Sequence, residues 1–268
     1  MLNYGKTIRF LLTFFRARGT LIGRNLEGGK RKVENAITLE ENEVLDDMML
    51  DGLRIVQNTT LYRFTSDSVL LSKFANAKNG DNVADFCAGS GIVAFHFHAL
   101  NRHDKKNLSY TLFELQEELS ALSKKTAAYN GFTEFSFEQG PLQETSKKYN
   151  EKFSLVLCNP PYENGGIEND DYKKAICRKE ITITLKDITQ AAARVLKFGG
   201  RFCLLHRADR LAEVCYTLKQ HNIEVKKIQF VGGRVASKPY LVMVEGVKGG
   251  KPNCQILPTI YNVKEQKQ

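Results

Sequence analysis

The tetrapeptide Asn159-Pro160-Pro161-Tyr162 combines groups that suit a planar substrate carrying an amino group. It follows an apolar run, residues 153–158, that predicts a buried strand. Two consecutive prolines cannot continue a strand ladder, so the chain must leave the sheet at the carboxyl end of this strand, where open α/β sheets bind ligands. The break exposes the Asn159 amide, a carbonyl without an intrachain partner and the Tyr162 ring. These groups favour recognition of a nucleobase.

A second candidate site is the turn Asp85-Phe86-Cys87-Ala88-Gly89-Ser90-Gly91, which joins a predicted strand to a predicted helix starting at Ile92. Gly89 and Gly91 allow a positive φ or a close backbone approach, and the helix start offers free N–H groups. Asp85 would repel a pyrophosphate. Its carboxylate suits instead a cofactor with a positively charged amino group, such as the methionine end of S-adenosylmethionine.

Glu114 ends the next predicted strand, 23 residues beyond Gly91 and close to the usual interval of about 20. At that place a carboxylate accepts hydrogen bonds from ribose hydroxyls. The interpretation is that Asp85, Gly89, Ser90, Gly91 and Glu114 hold a cofactor. In the alternative interpretation, the glycines form only a tight turn and Glu114 is a solvated strand end.

The elements that must position these residues alternate between strand and helix from residue 83 to residue 205. This order predicts an α/β fold with a doubly wound, mostly parallel sheet, closed by strands near residues 225–231 and 240–244 that include an antiparallel closing strand. A strand at 53–57 and a helix at 69–75 precede it. The other helices are expected at residues 92–100, 116–130, 185–196 (ending at Gly199-Gly200) and 208–221.

Charge is distributed unevenly along the 268 residues, whose net charge is +9. Residues 1–37 contain eight Lys or Arg and two Glu, so they are expected to form a basic extension ahead of a single domain at residues 38–268. The extension is interpreted as a nucleic-acid arm, an organelle-targeting peptide or residues upstream of the true start. No apolar run approaches the roughly 20 residues of a membrane-spanning helix.

The six cysteines form no CxxC pair, which favours a reducing compartment and hence the cytoplasm, with organelle targeting by residues 1–37 left open. Cys87, Cys158 and Cys203 fall in or beside predicted strands and are expected to pack in the core. His96 and His98 are two residues apart on a predicted helix and face different ways. No metal site is therefore expected.

Taken together, these residues resemble the class I S-adenosylmethionine-dependent methyltransferases with an Asn-Pro-Pro-Tyr signature, whose fold is Rossmann-like. Three further segments, residues 62–71, 205–211 and 244–252, are similar to the tRNA adenine-N(6) methyltransferases that modify the adenosine 3′ of the anticodon of a valine tRNA. The resemblance covers residues 39–262. It implies S-adenosylmethionine as cofactor and tRNA as partner. A monomer is favoured, with neither a membrane nor a metal ion involved.

The resemblance also implies roles for matching positions. Asn159, Pro160, Pro161 and Tyr162 would hold the adenine as catalytic residues, with Asn159 also facing the cofactor. Three positions depart from the family pattern: Arg178-Lys179-Glu180 replaces Arg-His-Glu, Gly232-Gly233-Arg234 replaces a proline-containing stretch, and Pro141 replaces an acid that meets the cofactor adenine. Glu138 or a backbone carbonyl is expected to take over from that acid.

RNA contacts are expected from basic residues around the mouth of the pocket, although any one such charge is more often a solvated surface group. His206 and Arg207 should share a sheet edge with Tyr162. The candidates are Arg178, His206, Arg207 and Lys238, followed by Lys173, Lys174, Lys179, Arg210 and Arg234.

Other functions remain open. The acceptor could be another amino or amide group, in ribosomal RNA, DNA adenine or protein glutamine. A non-catalytic RNA-binding module on the same fold is the remaining alternative.

Overall fold

The computed structural model describes residues 37–61, 66–104, 106–161 and 182–261. These residues form an eight-stranded sheet with helices on both faces and a separate two-stranded hairpin. The first half contains β1 (Glu43–Asp47), β2 (Arg54–Asn58), α1 (Ser66–Phe74), β3 (Asn82–Phe86), α2 (Ile92–Asn101), β4 (Ser109–Glu114), α3 (Glu117–Asn130), β5 (Phe135–Gln139) and α4 (Leu142–Thr145). The second half contains β6 (Phe153–Cys158), α5 (Leu185–Val195), β7 (Leu196–Arg207), α6 (Leu211–Gln220), β8 (Ile223–Gly232), β9 (Leu241–Lys248) and β10 (Gln255–Tyr261).

The strand order in the sheet is β10-β8-β9-β7-β6-β3-β4-β5. Neighbours from β7 to β5 are parallel, whereas β9 is antiparallel to both β7 and β8. This confirms the predicted α/β fold with a mostly parallel sheet and an antiparallel closing strand. The connections run in opposite directions on either side of the β3–β6 pair, and open sheets bind ligands at the carboxyl ends of such a pair.

The strand β6 carries the tetrapeptide to this edge and is buried on both faces. Leu155 and Leu157 pack into one core cluster with α1, α2 and α3. Val156 and Cys158 pack into the other, with α5 and α6. Because burial of one such apolar side chain contributes about 1.5–3 kcal/mol, the strand is held firmly up to the residue before Asn159.

The structure differs from the sequence prediction at several elements, among them the short helix α4, which was not predicted. The helix expected to reach Gly199-Gly200 ends at Val195, and both glycines lie inside β7, where a register shift separates the pairs of Phe153 and Leu155. Two strands, β1 and β10, were not predicted because their residues are only partly buried and show no strong apolar alternation.

Among the helices that the structure describes, none has the length and apolarity needed to cross a bilayer.

Candidate active site

The turn after β3 is shaped by left-handed backbone at several positions. Cys87, Gly89 and Gly91 have φ values of 55°, 58° and 84°. The Ala88 amide donates to the Phe113 carbonyl at 3.0 Å, which ties the turn to the end of β4. The turn therefore brings its backbone to the same edge as the ends of β4 and β6.

Asp85 lies beneath this turn and is only 1% exposed. Its Oδ2 accepts from the Ala94 amide at 3.1 Å, in the first turn of α2. Its Oδ1 is buried and has no hydrogen-bond partner among the described residues. Burial raises the pKa of Asp85 to about 8; the Ala94 N–H opposes this shift and the charge of Glu114 adds to it.

Glu114 reaches from the end of β4 to the same turn. Its Oε2 accepts from the Gly89 amide at 2.7 Å, and its Oε1 accepts from the Gln116 amide at 2.9 Å. Burial raises the pKa of Glu114, while these backbone N–H groups counteract the shift. Each carboxylate oxygen retains a second lone pair for a further donor.

Asn159 follows β6, which pairs with β3 through Phe86 and Cys158. Its Nδ2 donates to Ser68 Oγ in α1 at 2.9 Å. Its Oδ1 is buried and has no hydrogen-bond partner in the described part of the chain. Pro160 and Pro161 are buried beside it, while Tyr162 lies outside the described residues. The structure thus places an unused amide oxygen next to the turn of Asp85 and Gly89.

The comparison with protein families matches residues 65–229, more than half of the chain, to the methyltransferase small domain. The chain belongs to this family. It is an S-adenosylmethionine-dependent methyltransferase, so the predicted resemblance to class I methyltransferases is confirmed. The roles of the tetrapeptide, Asp85 and Glu114 stay predictions.

One relative has a methyltransferase name, and two solved structures share the fold. A protein of Shewanella sediminis (strain HAW-EB3), named tRNA1(Val) (adenine(37)-N6)-methyltransferase, is 23% identical over 66% of this chain and 72% of its own length. The crystal structure of a predicted O-methyltransferase from Agrobacterium tumefaciens is 17% identical over 75% of this chain and 89% of that chain, with a TM-score of 0.57. The [4+2]-cyclase SpnF, 10% identical over 68% of this chain and 80% of that chain, has a TM-score of 0.51. Both structural matches show the fold alone, and the cyclase shows that the fold hosts other chemistry.

The methyltransferase site fits its cofactor in charge and shape. S-adenosylmethionine carries a sulfonium and an ammonium group, which suit the buried Asp85 carboxyl with its unused Oδ1. Its ribose hydroxyls suit the remaining lone pairs of Glu114. A Cβ built on Gly89 would meet no atom within 4 Å, so open space adjoins the turn where a ligand must approach the backbone.

Cofactor affinity is expected to rise with pH. Because the pKa of Asp85 is raised to about 8, its carboxyl is mostly protonated near neutrality and must release a proton to meet a cationic ligand. Binding should therefore tighten by up to about tenfold per pH unit between about pH 6 and 7.5. Calorimetric titration in buffers of different ionisation enthalpy measures the proton released. Asp85→Asn should bind more weakly and lose this dependence; an equally pH-dependent variant would contradict the assignment.

The two glycines of the turn are expected to respond differently to alanine. At Gly91 the new Cβ would lie 2.4 Å from Phe95 and 2.8 Å from Leu112, both buried, so Gly91→Ala should cost about 1–3 kcal/mol of stability in addition to the about 1 kcal/mol of its own left-handed backbone. Gly89→Ala should cost only the about 1 kcal/mol of its left-handed backbone, but its methyl group should weaken cofactor binding. Urea unfolding and cofactor titration of both variants measure the contrast. Equal stability losses would contradict it.

The residues predicted to contact RNA differ in their exposure to solvent and in their contacts. His206 is fully buried, and its Nδ1 accepts from the Arg207 amide at 2.9 Å. The Arg207 guanidinium forms an ion pair with Asp209. Lys238 is exposed in the loop between β8 and β9. Arg178 and residues 179–180 lie outside the described residues, and all four RNA assignments stay predictions.

Glu138 and the Pro141 carbonyl, which were expected to take over from the missing acid, both make hydrogen bonds within the protein. The Glu138 carboxylate accepts from the Tyr149 hydroxyl at 2.6 Å and forms an ion pair with Lys148 at 2.8 Å. The Pro141 carbonyl accepts from the amides of residues 144 and 145 in α4. That one of these two groups contacts the adenine of the cofactor stays a prediction.

Sequence reasoning missed two residues that contact the site, Gln57 in β2 and Ser68 in α1. Ser68 lies in the segment 62–71 that resembles the tRNA methyltransferases, which was the available signal. The expectations for other residues are met with one exception. Cys158 and Cys203 are buried in the core, whereas Cys87 is only half-buried and packs against it. His96 and His98 contact different partners, Ser72 and Glu134.

Proposed function

We propose that this methyltransferase methylates the exocyclic amino group of an adenosine in tRNA, namely the adenosine 3′ of the anticodon of a valine tRNA. The observation that carries the proposal is the buried Asn159 Oδ1, an acceptor without a hydrogen-bond partner among the described residues. It lies next to the cofactor turn and matches the donor character of an amino group. The name of the Shewanella sediminis relative, tRNA1(Val) (adenine(37)-N6)-methyltransferase, supports adenine in tRNA as the acceptor.

The amino nitrogen of adenine is a poor nucleophile because its lone pair is delocalised into the ring. The Asn159 Oδ1 and the Pro160 carbonyl can each accept one of its two hydrogens, which makes the nitrogen more tetrahedral and frees the lone pair. The bound cofactor supplies an electrophilic methyl group on sulfur. The protein's contribution is then to hold the nitrogen in line with that methyl group and to exclude water. Tyr162 is expected to stack on the base, a contact worth about 1–3 kcal/mol.

The adenine must be unpaired or flipped out to present its amino group in this way. An anticodon-loop nucleotide is already partly free, which lowers this cost. Exposed residues of the loop between β8 and β9 lie at the same edge of the sheet as the site: Arg234, Val235 and Lys238 are exposed, and Tyr240 is 40% exposed. Their positive charge and aromatic surface support an RNA partner. A tRNA substrate in turn favours the cytoplasm as the place of action.

The test compares tRNA nucleosides from cells with and without this gene by mass spectrometry. We expect loss of N(6)-methyladenosine from the valine tRNA of the deletion strain. The purified protein should methylate the unmodified transcript of this tRNA, whereas a matched transcript with guanosine at the same position should stay unmethylated. Unchanged N(6)-methyladenosine together with an unmethylated transcript would overturn the proposal. Methylation of ribosomal RNA, DNA or a glutamine peptide instead would identify one of the other acceptors.

A further inference from the structure

β2 and α1 precede β3 in the chain and contact both halves of the site through buried polar side chains. Gln57 in β2 donates from Nε2 to Ser90 Oγ in the cofactor turn at 2.6 Å. Ser68 in α1 accepts from Asn159 Nδ2 at 2.9 Å. Both side chains are buried. We propose that Gln57 and Ser68 are positioning residues: Gln57 fixes the turn that receives the cofactor, and Ser68 fixes the amide that receives the substrate amino group.

The role of Gln57 follows from the flexibility of the turn. Ser90 lies between Gly89 and Gly91, which both have left-handed backbone. Because glycine adopts many backbone conformations at little cost, this part of the turn is flexible. The hydrogen bond from Gln57 in β2 restricts this freedom before the ligand arrives, which lowers the entropic cost of binding. Since Gln57 supplies the proton of this bond, the Ser90 hydroxyl keeps its own proton for an acceptor on the cofactor. Gln57 should therefore govern cofactor affinity.

The role of Ser68 follows from the two different ends of the Asn159 side-chain amide. The two ends of the Asn159 side chain are nearly identical in shape but opposite in hydrogen-bonding character. Because Ser68 Oγ takes the Nδ2 end, the Oδ1 end is left without a partner among the described residues and can accept from an amino group. Ser68 should therefore govern the transfer step. This part of the inference rests on the proposed function of Asn159.

For Gln57 the test is titration of Gln57→Met with S-adenosylmethionine. The variant keeps the volume of the side chain but loses the donor, so its dissociation constant should rise about tenfold, with kcat unchanged at saturating cofactor. The matched control is Thr126→Val, because Thr126 lies in α3 and its Oγ1 accepts from the Val56 amide of the same strand β2 rather than from the cofactor turn. Its affinity should equal that of the wild type. Equal weakening in both variants, or in neither, would overturn the role of Gln57.

For Ser68 the test is the kinetics of Ser68→Ala. Its kcat should fall about tenfold at unchanged cofactor affinity, and Ser68→Thr should restore part of it. Ser72→Ala is the matched control, because Ser72 is buried in the same helix but contacts His96 and the Val69 carbonyl. That variant should keep the wild-type kcat. A loss of cofactor affinity without a loss of kcat in Ser68→Ala would overturn the role of Ser68.

A readout without RNA separates this inference from the proposed function. The side-chain amide of Asn159 can be assigned in a ¹⁵N-¹H spectrum by its disappearance in Asn159→Asp. In Ser68→Ala this signal should shift and its protons should exchange faster with water, and in Ser72→Ala it should stay in place. An unchanged signal in Ser68→Ala would overturn the positioning role. A wild-type protein that fails to methylate tRNA would overturn the proposed function, and the cofactor titrations and the spectrum would still decide the inference.

Discussion

Replacing Asn159 with alanine is expected to lower kcat by about 100- to 1000-fold, the usual effect of removing one preorganised polar group that acts in the transition state. The reason is that the variant loses Oδ1, the buried acceptor that has no other partner among the described residues. The side chain of Asn159 makes its one described hydrogen bond to Ser68, outside the cofactor turn. The affinity for S-adenosylmethionine should therefore change by less than about threefold. Single-turnover kinetics and cofactor titration measure the two quantities separately.

Asn159→Asp provides the matched control for this prediction. A carboxylate keeps an acceptor oxygen toward the substrate, and the Ser68 hydroxyl can donate to its other oxygen. This variant should therefore retain more activity than Asn159→Ala. If both variants lost cofactor binding and activity together, Asn159 would be a structural residue rather than the acceptor of the amino group.

The second large effect is expected at the opposite edge of the sheet, where Asp81 and Arg201 form a buried ion pair at 2.5 Å. Asp81 also accepts from the Ser154 hydroxyl at 2.6 Å and from the Lys78 amide at 2.6 Å. The Arg201 guanidinium donates in addition to the Asn76 carbonyl. Asp81→Ala would leave the arginine charge buried without its partner, so the free energy of unfolding should fall by about 3–5 kcal/mol. Urea unfolding measures this loss.

Two controls make this prediction specific. The exposed ion pair of Lys147 and Glu144 should contribute at most about 0.5 kcal/mol, so Lys147→Ala should unfold almost like the wild type. The double variant Asp81→Leu with Arg201→Met removes both charges and should be more stable than Asp81→Ala alone. A loss below about 1 kcal/mol in Asp81→Ala would show that water reaches the arginine and that the pair is not effectively buried.

Much of the fold could be predicted because its strands carry local signals. β3, β4, β6 and the central part of β7 are buried and therefore apolar, and glycines after β3 and prolines after β6 mark where the chain leaves those two strands. β1 and β10 lack such a signal, since they pair with β2 and β8 but are only partly buried, with few side chains such as Leu257 and Ile260 packed against the core. The end of α5 was misplaced for a related reason. Leu196 is as apolar as the helix before it, but it pairs with Phe153 and starts β7.

The sequence by itself determined the chemistry of the site. Each signal lies within a few residues of a strand: two prolines follow one strand, glycines follow another and a carboxylate ends a third. Their effects on the chain can therefore be predicted from a short stretch of sequence. Only the tertiary structure decided which distant side chains complete the site. Gln57 meets Ser90 and Ser68 meets Asn159 across 33 and 91 positions of the chain. At the opposite edge of the sheet, Asp81 meets Arg201 across 120 positions. Such contacts depend on strand register and on the packing of α1 against the sheet, and neither is encoded in the pattern of neighbouring residues.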